Sequence, residues 1–310
     1  MTRRLIATAL LAIIGLGGGP IVAAQDEATP APQFAESREI RDVDGSLLGT
    51  IQVTAIEDPF ALYDPTTPPV YGTRYVAVTM DIRGLGDRPW AFNPAHLVMV
   101  DDSGFAVTGA NLRFTEDSRL ALLATQDIAP EATLTGSIVF QVALDSGLNR
   151  LVYSPANERL VEIVRFGDGA PEVGTTVGVE SSDESVFAEV MVSEMQNPFT
   201  SYNQDSPPER GSNFVLITVT VTNPGPRPMR LDPAGFLVVD VDGFVSRPVT
   251  IRRGDTPPSD LVHTDPFTVG SSITGGLGYL VLTGVTLETL VFSPSSDRLI
   301  EIANLGPNRE

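Results

Sequence analysis

The sequence contains two histidines, His96 and His263. Serine-type hydrolysis needs a base within hydrogen-bond reach of a hydroxyl, and that base is normally histidine. No Gly-x-Ser-x-Gly motif occurs. The two histidines align with Gly235 and Ala124 in the internal repeat described below, so neither belongs to the repeated unit. We interpret both as ordinary solvent-facing or sheet-edge residues.

Metal and redox chemistry lack their usual ligands. The chain has no cysteine, which excludes disulfides, thiolate metal sites, iron–sulfur clusters and cysteine nucleophiles. Zinc is disfavoured too, because no cluster of histidine and cysteine exists. The segments 42–45, 101–104 and 240–243 resemble the start of a calcium loop, but the central glycine and the distal glutamate are missing at the required spacing. Aspartate and glycine also favour hairpin turns, so we predict turns, with no metal and no cofactor.

Carboxylates are plentiful, with 39 aspartates and glutamates. A glycosidase needs two of them on either side of a sugar cleft, one with its pKa raised by an apolar pocket. A surplus of acids makes any chosen pair uninformative. We therefore predict that the chain is not an enzyme and keep a secreted, carboxylate-dependent hydrolase acting on carbohydrate as an alternative.

The charge balance restricts the partners. The formal net charge is −19 and all 20 basic residues are arginine. Removal of Arg3 and Arg4 with the leader described next would take the charge from −19 to −21. Such a charge repels phosphate backbones and anionic lipid, so we expect neither nucleic-acid nor lipid-surface binding.

The N-terminus has the organisation of a secretory signal peptide. Residues 1–24 contain two arginines, an apolar stretch from Leu5 to Leu16, a glycine run with Pro20, and the small residues Val22 and Ala24 at the −3 and −1 positions. A permanent anchor needs about 20 helix-competent apolar residues, and the glycine run with Pro20 interrupts that stretch. We predict cleavage after Ala24, and an acidic, proline-bearing tether at 25–36.

The rest of the chain contains an internal repeat of one unit. Laying residues 37–166 on residues 176–305, at a constant offset of 139, gives 35 identities in 130 pairs. One register over that span predicts a tandem duplication of a domain-sized unit. The predicted domains are 37–166 and 176–305, with a linker at 167–175 and a tail at 306–310.

Each unit is rich in short strands. Val76, Val78, Met80 and Ile82 alternate with polar or mixed neighbours, and positions 215, 217, 219 and 221 repeat the pattern. Further strands are predicted at 51–56, 97–100, 137–142, 151–153 and 160–164, with Asp- and Gly-containing turns between them. Many short strands with almost no helical periodicity favour an all-β fold of two antiparallel sandwiches.

One segment predicts a helix. Residues 115–124 begin with Thr115 and an acidic first turn, a typical helix start. The corresponding segment begins with Thr256 and two prolines, which a first helical turn tolerates.

The spacing of glycine, proline and aromatic residues resembles an uncharacterised bacterial family of extracellular immunoglobulin-like domains, related to a secreted immunoprotective antigen. The resemblance covers both units and implies an immunoglobulin-like sandwich in a secreted or envelope setting; it brings no catalytic residues. The residues that carry it in the first copy are Gly72, Tyr75, Val76, Val78, Gly86, Pro89, Pro94, Asp101, Gly104, Phe105, Gly136, Ile138, Val139, Phe140, Val142, Tyr153, Ser154 and Pro155.

Two corresponding loops, 58–71 and 197–210, are the candidate recognition surface. Phe60 and Tyr63 of the first loop match Phe199 and Tyr202 of the second, and each loop has a proline pair. Aromatic side chains on stiffened loops form recognition surfaces at low entropic cost. The alternative is that the phenylalanines plug the end of the sandwich while the prolines prevent edge pairing.

These observations favour a non-catalytic, secreted or cell-envelope interaction module with an unknown envelope protein or glycan as partner. Two linked weak sites gain from effective concentration, which fits duplication. A purely structural surface spacer is a further alternative. The sequence leaves the oligomeric state open.

Overall fold

The computed structural model describes residues 34–306, with gaps at residues 35, 116, 117, 119, 156–158, 181–185, 254–257 and 262–265. The predicted leader at 1–24 and all of the tether except residues 34 and 36 lie outside these residues. In the described part of the chain, no helix is long and apolar enough to cross a membrane.

The first half of the chain forms two four-stranded sheets and a two-stranded ribbon. Its strands are β1 (Arg38–Arg41), β2 (Leu47–Glu57), β3 (Thr73–Gly84), β4 (Trp90–Phe92), β5 (Leu97–Asp101), β6 (Ala106–Thr108), β7 (Gln126–Ile128), β8 (Thr133–Ala143), β9 (Leu148–Tyr153) and β10 (Val161–Arg165). The sheets have the orders β1-β2-β3-β8 and β10-β9-β5-β6, and β4 pairs with β7. All of these strand pairings are antiparallel.

The second half repeats the two sheets. Its strands are β11 (Thr176–Glu180), β12 (Val186–Gln196), β13 (Ser212–Thr222), β14 (Phe236–Asp240), β15 (Val245–Ser246), β16 (Ser272–Leu282), β17 (Leu287–Phe292) and β18 (Ile300–Asn304). They pair in the orders β11-β12-β13-β16 and β15-β14-β17-β18, again antiparallel. The all-β class is therefore confirmed.

Each half has its own apolar core, drawn from both of its sheets. In the first half, Val78 and Phe140 of one sheet share a buried cluster with Met99 and Leu151 of the other. The second half has the corresponding cluster, for example Ile217. Two antiparallel sheets around one apolar core are consistent with a β-sandwich. The domain and linker boundaries stay predictions.

Strand β3 is buried on both faces over part of its length, whereas the alternating sequence pattern predicts one buried face. Val76, Val78, Met80 and Ile82 are all buried, as predicted. Tyr75 and Ala77, on the opposite face, are buried as well, 5% and 2% exposed. The loop residues Phe60 and Leu112 pack on that face, so part of the outer side of the strand lies under a second, smaller apolar cluster.

The helix predicted over 115–124 is wrong for the described residues of that segment. Residues 121–123 run along β8: the amide of Leu123 donates to the carbonyl of Ser137 at 2.9 Å, and the amide of Ser137 donates to Ala121 at 2.7 Å. Backbone pairing with a sheet edge outweighs a weak local helix preference. The corresponding Thr256 lies outside the described residues. Within the described residues, the helical segments are two three-residue 3-10 turns, Pro94–His96 and Pro233–Gly235.

Candidate binding loops

Loops 58–71 and 197–210 connect the same pair of strands in each half, β2 to β3 and β12 to β13. Both loops start with a cis peptide bond to proline, at Asp58–Pro59 and Asn197–Pro198. A backbone bond inside the loops also corresponds: the amide of Asp64 donates to the carbonyl of Arg113 at 2.8 Å, and that of Asn203 donates to Arg252 at 2.6 Å.

The two phenylalanines predicted as ligand contacts are buried. Phe60 and Phe199 are 1% and 3% exposed. The amide of Phe60 donates to the carbonyl of Tyr75 at 2.8 Å, and that of Phe199 donates to Phe214 at 2.7 Å. A ligand cannot reach rings enclosed in this way, so in this structure Phe60 and Phe199 anchor the loops to the sheet instead of presenting a surface. Their burial favours the stated alternative, in which they plug the end of the sandwich, and a binding role for them stays a prediction.

The two tyrosines are half-buried. The ring of Tyr63 lies edge-on to Tyr75 with 5.2 Å between centroids, and Tyr202 lies edge-on to Phe214 at 5.3 Å. Edge-to-face pairs at this distance are favourable. Part of each tyrosine ring stays accessible, and its binding role stays a prediction.

The base of the first loop is fixed by a bidentate ion pair. Arg74 Nε lies 2.7 Å from Asp58 Oδ1, and Nη2 lies 3.1 Å from Oδ2. The hydrogen bond to Asp58 raises the pKa of Arg74. In the second loop, Asn213 Nδ2 donates to Asn197 Oδ1 at 2.9 Å instead. The same two positions are thus joined in both loops, by an ion pair in the first and by an uncharged hydrogen bond in the second.

Sequence reasoning missed the most exposed side chains of this region. Tyr71 is fully exposed and Val70 is 64% exposed. Leu144, whose amide donates to the carbonyl of Gly72 at 2.8 Å, is 56% exposed. The candidate contacts on this loop are residues that the two copies share, whereas Tyr71 corresponds to Arg210. The available signal was its position at a turn, directly before Gly72 with its positive φ of 81°. We call Val70, Tyr71 and Leu144 the apolar patch.

His96 is half-buried beside Tyr153. Its Nδ1 is buried without a hydrogen-bond partner, and its Nε2 lies 3.5 Å from Asn93 Nδ2. Burial lowers the pKa of His96. The ring packs edge-on to Tyr153, 5.9 Å between centroids. Nothing in these contacts couples it to a serine or threonine hydroxyl, and His263 lies outside the described residues.

Trp90 packs in the core. Its side chain is 3% exposed and lies edge-on to Phe92 and Tyr153. Burial raises the pKa of Tyr153 to about 12. Trp90 therefore contributes to the apolar core of the first half.

The aspartates considered for calcium close hairpin turns. Asp101 Oδ1 accepts the amides of Ser103 and Phe105 at 3.1 and 2.8 Å, and Asp240 Oδ1 accepts those of the residues two and four positions further on, at 2.9 and 2.8 Å. Burial raises the pKa of both carboxyl groups. Across the described ranges, no group of three metal-ligating side chains could hold a metal ion.

An acidic cleft lies beside one of these turns. It has a volume of about 490 Å³, and its lining includes Asp101, Asp102, Glu180 and Glu301. A carboxyl group of raised pKa in a cleft is what a glycosidase acid requires. Here the raised pKa of Asp101 follows from the buried turn, because Asp240 shows the same shift in the same turn.

No protein-family model, curated protein or solved structure matches the chain.

Proposed function

We propose that the chain is a non-catalytic interaction module, secreted or held in the cell envelope, which binds a protein or a glycan through the loop region 58–71 and its counterpart 197–210. We also propose that each half is an immunoglobulin-like sandwich, present as two tandem copies at 37–166 and 176–305. The identical strand order of the two halves supports the duplication.

The apolar patch is the observation that carries this proposal. Tyr71 and Val70 stand in solvent at the end of a loop, beside the exposed Leu144. Exposed apolar groups that cluster in this way mark contact surfaces more often than isolated ones do. Tyrosine also supplies a large contact area with few rotatable bonds.

The anchoring of the loop makes the patch suitable for binding. Phe60 is buried beneath the loop and Arg74 clamps its first residue, Asp58. A loop fixed before the ligand arrives loses less conformational entropy on binding. The second loop is likewise held by the buried Phe199, but it has Arg210 where the first loop has Tyr71.

The hydrolase alternative draws on the acidic cleft at Asp101. It requires a second carboxylate on the opposite side of a bound sugar, while Asp101 Oδ1 already accepts two backbone amides. The spacer alternative requires no binding at all.

The full mature chain should be tested on a glycan array, against envelope extract, and on chromogenic glycosides and esters. We expect saturable capture of one partner and no release of product. Product release that disappears in Asp101→Asn would establish the hydrolase instead. Blank results on the array, the extract and the substrates would leave the spacer and refute the proposal.

The secreted setting has its own test. Mass spectrometry of the protein from its native host should find Gln25, or its cyclised form, as the first residue. An intact Met1 in the membrane fraction would contradict cleavage and indicate an anchored protein.

A further inference from the structure

The two halves of the chain meet through an apolar cluster of paired positions. Its ten residues fall into five pairs that are each 139 apart: Val98 and Leu237, Val100 and Val239, Ala106 and Val245, Val152 and Val291, Leu160 and Leu299. Every position that one half contributes to this cluster is therefore contributed by the other half as well. Contacts of this kind arise when two copies of a unit are related by a two-fold axis.

The cation–π contacts at the edge of the cluster are also paired, with each half contributing one arginine and one phenylalanine. Arg159 stacks on the ring of Phe244 and Arg298 stacks on Phe105, each with 3.9 Å from Cζ to the ring centroid. Arg159 and Arg298 are 139 apart, as are Phe105 and Phe244. Both arginines are buried, 2% and 5% exposed, where a cation over a ring is stabilised more than in water.

The backbone shows the two-fold relation too. The amide of Leu160 donates to the carbonyl of Gly243 at 2.7 Å, and that of Leu299 donates to Gly104 at 2.8 Å. Gly104 and Gly243 both have a φ of 79°. A Cβ on Gly104 would come within 2.6 Å of Ile300, a residue of the other half. The turn conformation and the close approach both require glycine.

We infer that this face of each half is a self-complementary docking surface, and that the partner it fits is a second copy of the same unit. In this chain the second copy is supplied by the duplication. The two sandwiches are thus an intramolecular pseudo-dimer and not two modules on a flexible linker.

One ion-pair network breaks the symmetry and disfavours the pairing of two second halves. Glu301, whose side chain is 8% exposed, pairs with Arg150 and accepts both Nη groups of Arg165 at 2.8 Å. The positions corresponding to these arginines are Thr289 and Asn304. Two second halves docked together would bury Glu301 without a cation, which is strongly unfavourable. Unlike halves avoid this arrangement.

The test cuts the linker at 167–175 and leaves the folded chain otherwise intact. A protease site inserted after the exposed Val173 is cut in the folded full-length protein, and native mass spectrometry and light scattering then measure the fragments at micromolar concentration. We expect one complex containing one N-terminal and one C-terminal fragment. Separated fragments would overturn the inference, because a self-complementary surface should hold the two halves together without the linker.

Two variants of the cut protein locate the surface. Val100→Asp with Val239→Asp places carboxylates in the shared cluster and should separate the fragments, whereas Thr54→Asp with Ser193→Asp, at exposed corresponding positions, should leave them paired. If circular dichroism shows that the first variant has unfolded, Phe105→Ala with Phe244→Ala replaces it. Loss of both stacks should raise the dissociation constant about tenfold or more. An unchanged constant would refute the docking surface.

Discussion

Asp101 and Asp240 keep buried carboxyl groups because each closes a hairpin turn with two amide hydrogen bonds. Burial outweighs these bonds and raises both pKa values. A carboxyl group with a raised pKa in the folded state stabilises the fold below its unfolded pKa of about 3.9. That contribution is lost as the pH rises through the folded pKa.

The double variant Asp101→Asn with Asp240→Asn should therefore melt a few degrees above the wild type at pH 7, because asparagine keeps the accepting oxygen and removes the buried charge. The advantage should shrink as the pH falls towards 4. Differential scanning calorimetry at both pH values checks this, with Asp87→Asn and Asp205→Asn, both exposed, as the matched charge control. A lower melting temperature at pH 7 would contradict the account.

The site residues show which part of a loop the sequence can predict. Phe60 and Tyr63 were found because both copies contain them, but residues shared between copies include those that only hold the loop in place. Tyr71, fully exposed, differs between the copies, so the repeat gives no indication of it. The burial of Phe60 depends on the residues that pack against it, here Tyr75 and Leu112. These residues lie outside the loop, so the loop sequence alone does not predict the burial.

At the level of strands, Val78 of β3 and Ile217 of β13 occupy the same core position and are both fully buried. Val78→Asp or Ile217→Asp should destabilise its half by about 4 kcal/mol or more, because an unpaired carboxylate would lie in an apolar core. The other half should also lose protection, since it loses its docking partner. Hydrogen exchange of both halves measures this, and Thr54→Asp on β2 is the exposed control. Normal protection in either variant would contradict the core assignment.

The strands were predictable from alternation and turns, and the contact between the halves was not recognised. Its signal was present: β5 begins Leu97-Val98-Met99-Val100 and β14 begins Phe236-Leu237, runs that are apolar on both faces. One face fills the sandwich core and the other fills the shared cluster. The helix prediction at 115–124 is wrong for a different reason. The local pattern favours a helix, but residues 121–123 form backbone hydrogen bonds with β8 instead.

At the scale of the whole molecule, Glu301 joins the halves through Arg150 and Arg165. Burial alone would raise the pKa of Glu301, but the hydrogen bonds and charges of the two arginines outweigh burial and lower it. A lowered pKa gives stability that is present above the unfolded value of about 4.3 and lost as the pH falls through the folded pKa.

Glu301→Gln should cost about 3–5 kcal/mol at neutral pH, because it leaves Arg150 buried without its partner. Urea unfolding of the wild type and the variant should show this difference at pH 7 and a smaller one below pH 4. Glu131→Gln removes a surface ion pair with Arg83 and should cost less than about 1 kcal/mol. Equal effects of the two variants would show that the network between the halves contributes nothing special.

The apolar patch is the surface through which we propose that the protein binds a partner. The most direct measurement compares capture of the envelope partner by the wild type, Tyr71→Ala and the control Val269→Ala, which shortens an exposed apolar side chain of the second half. All three should melt alike, and Tyr71→Ala alone should lose about tenfold or more in affinity. Equal capture by Tyr71→Ala and the wild type would contradict the claim.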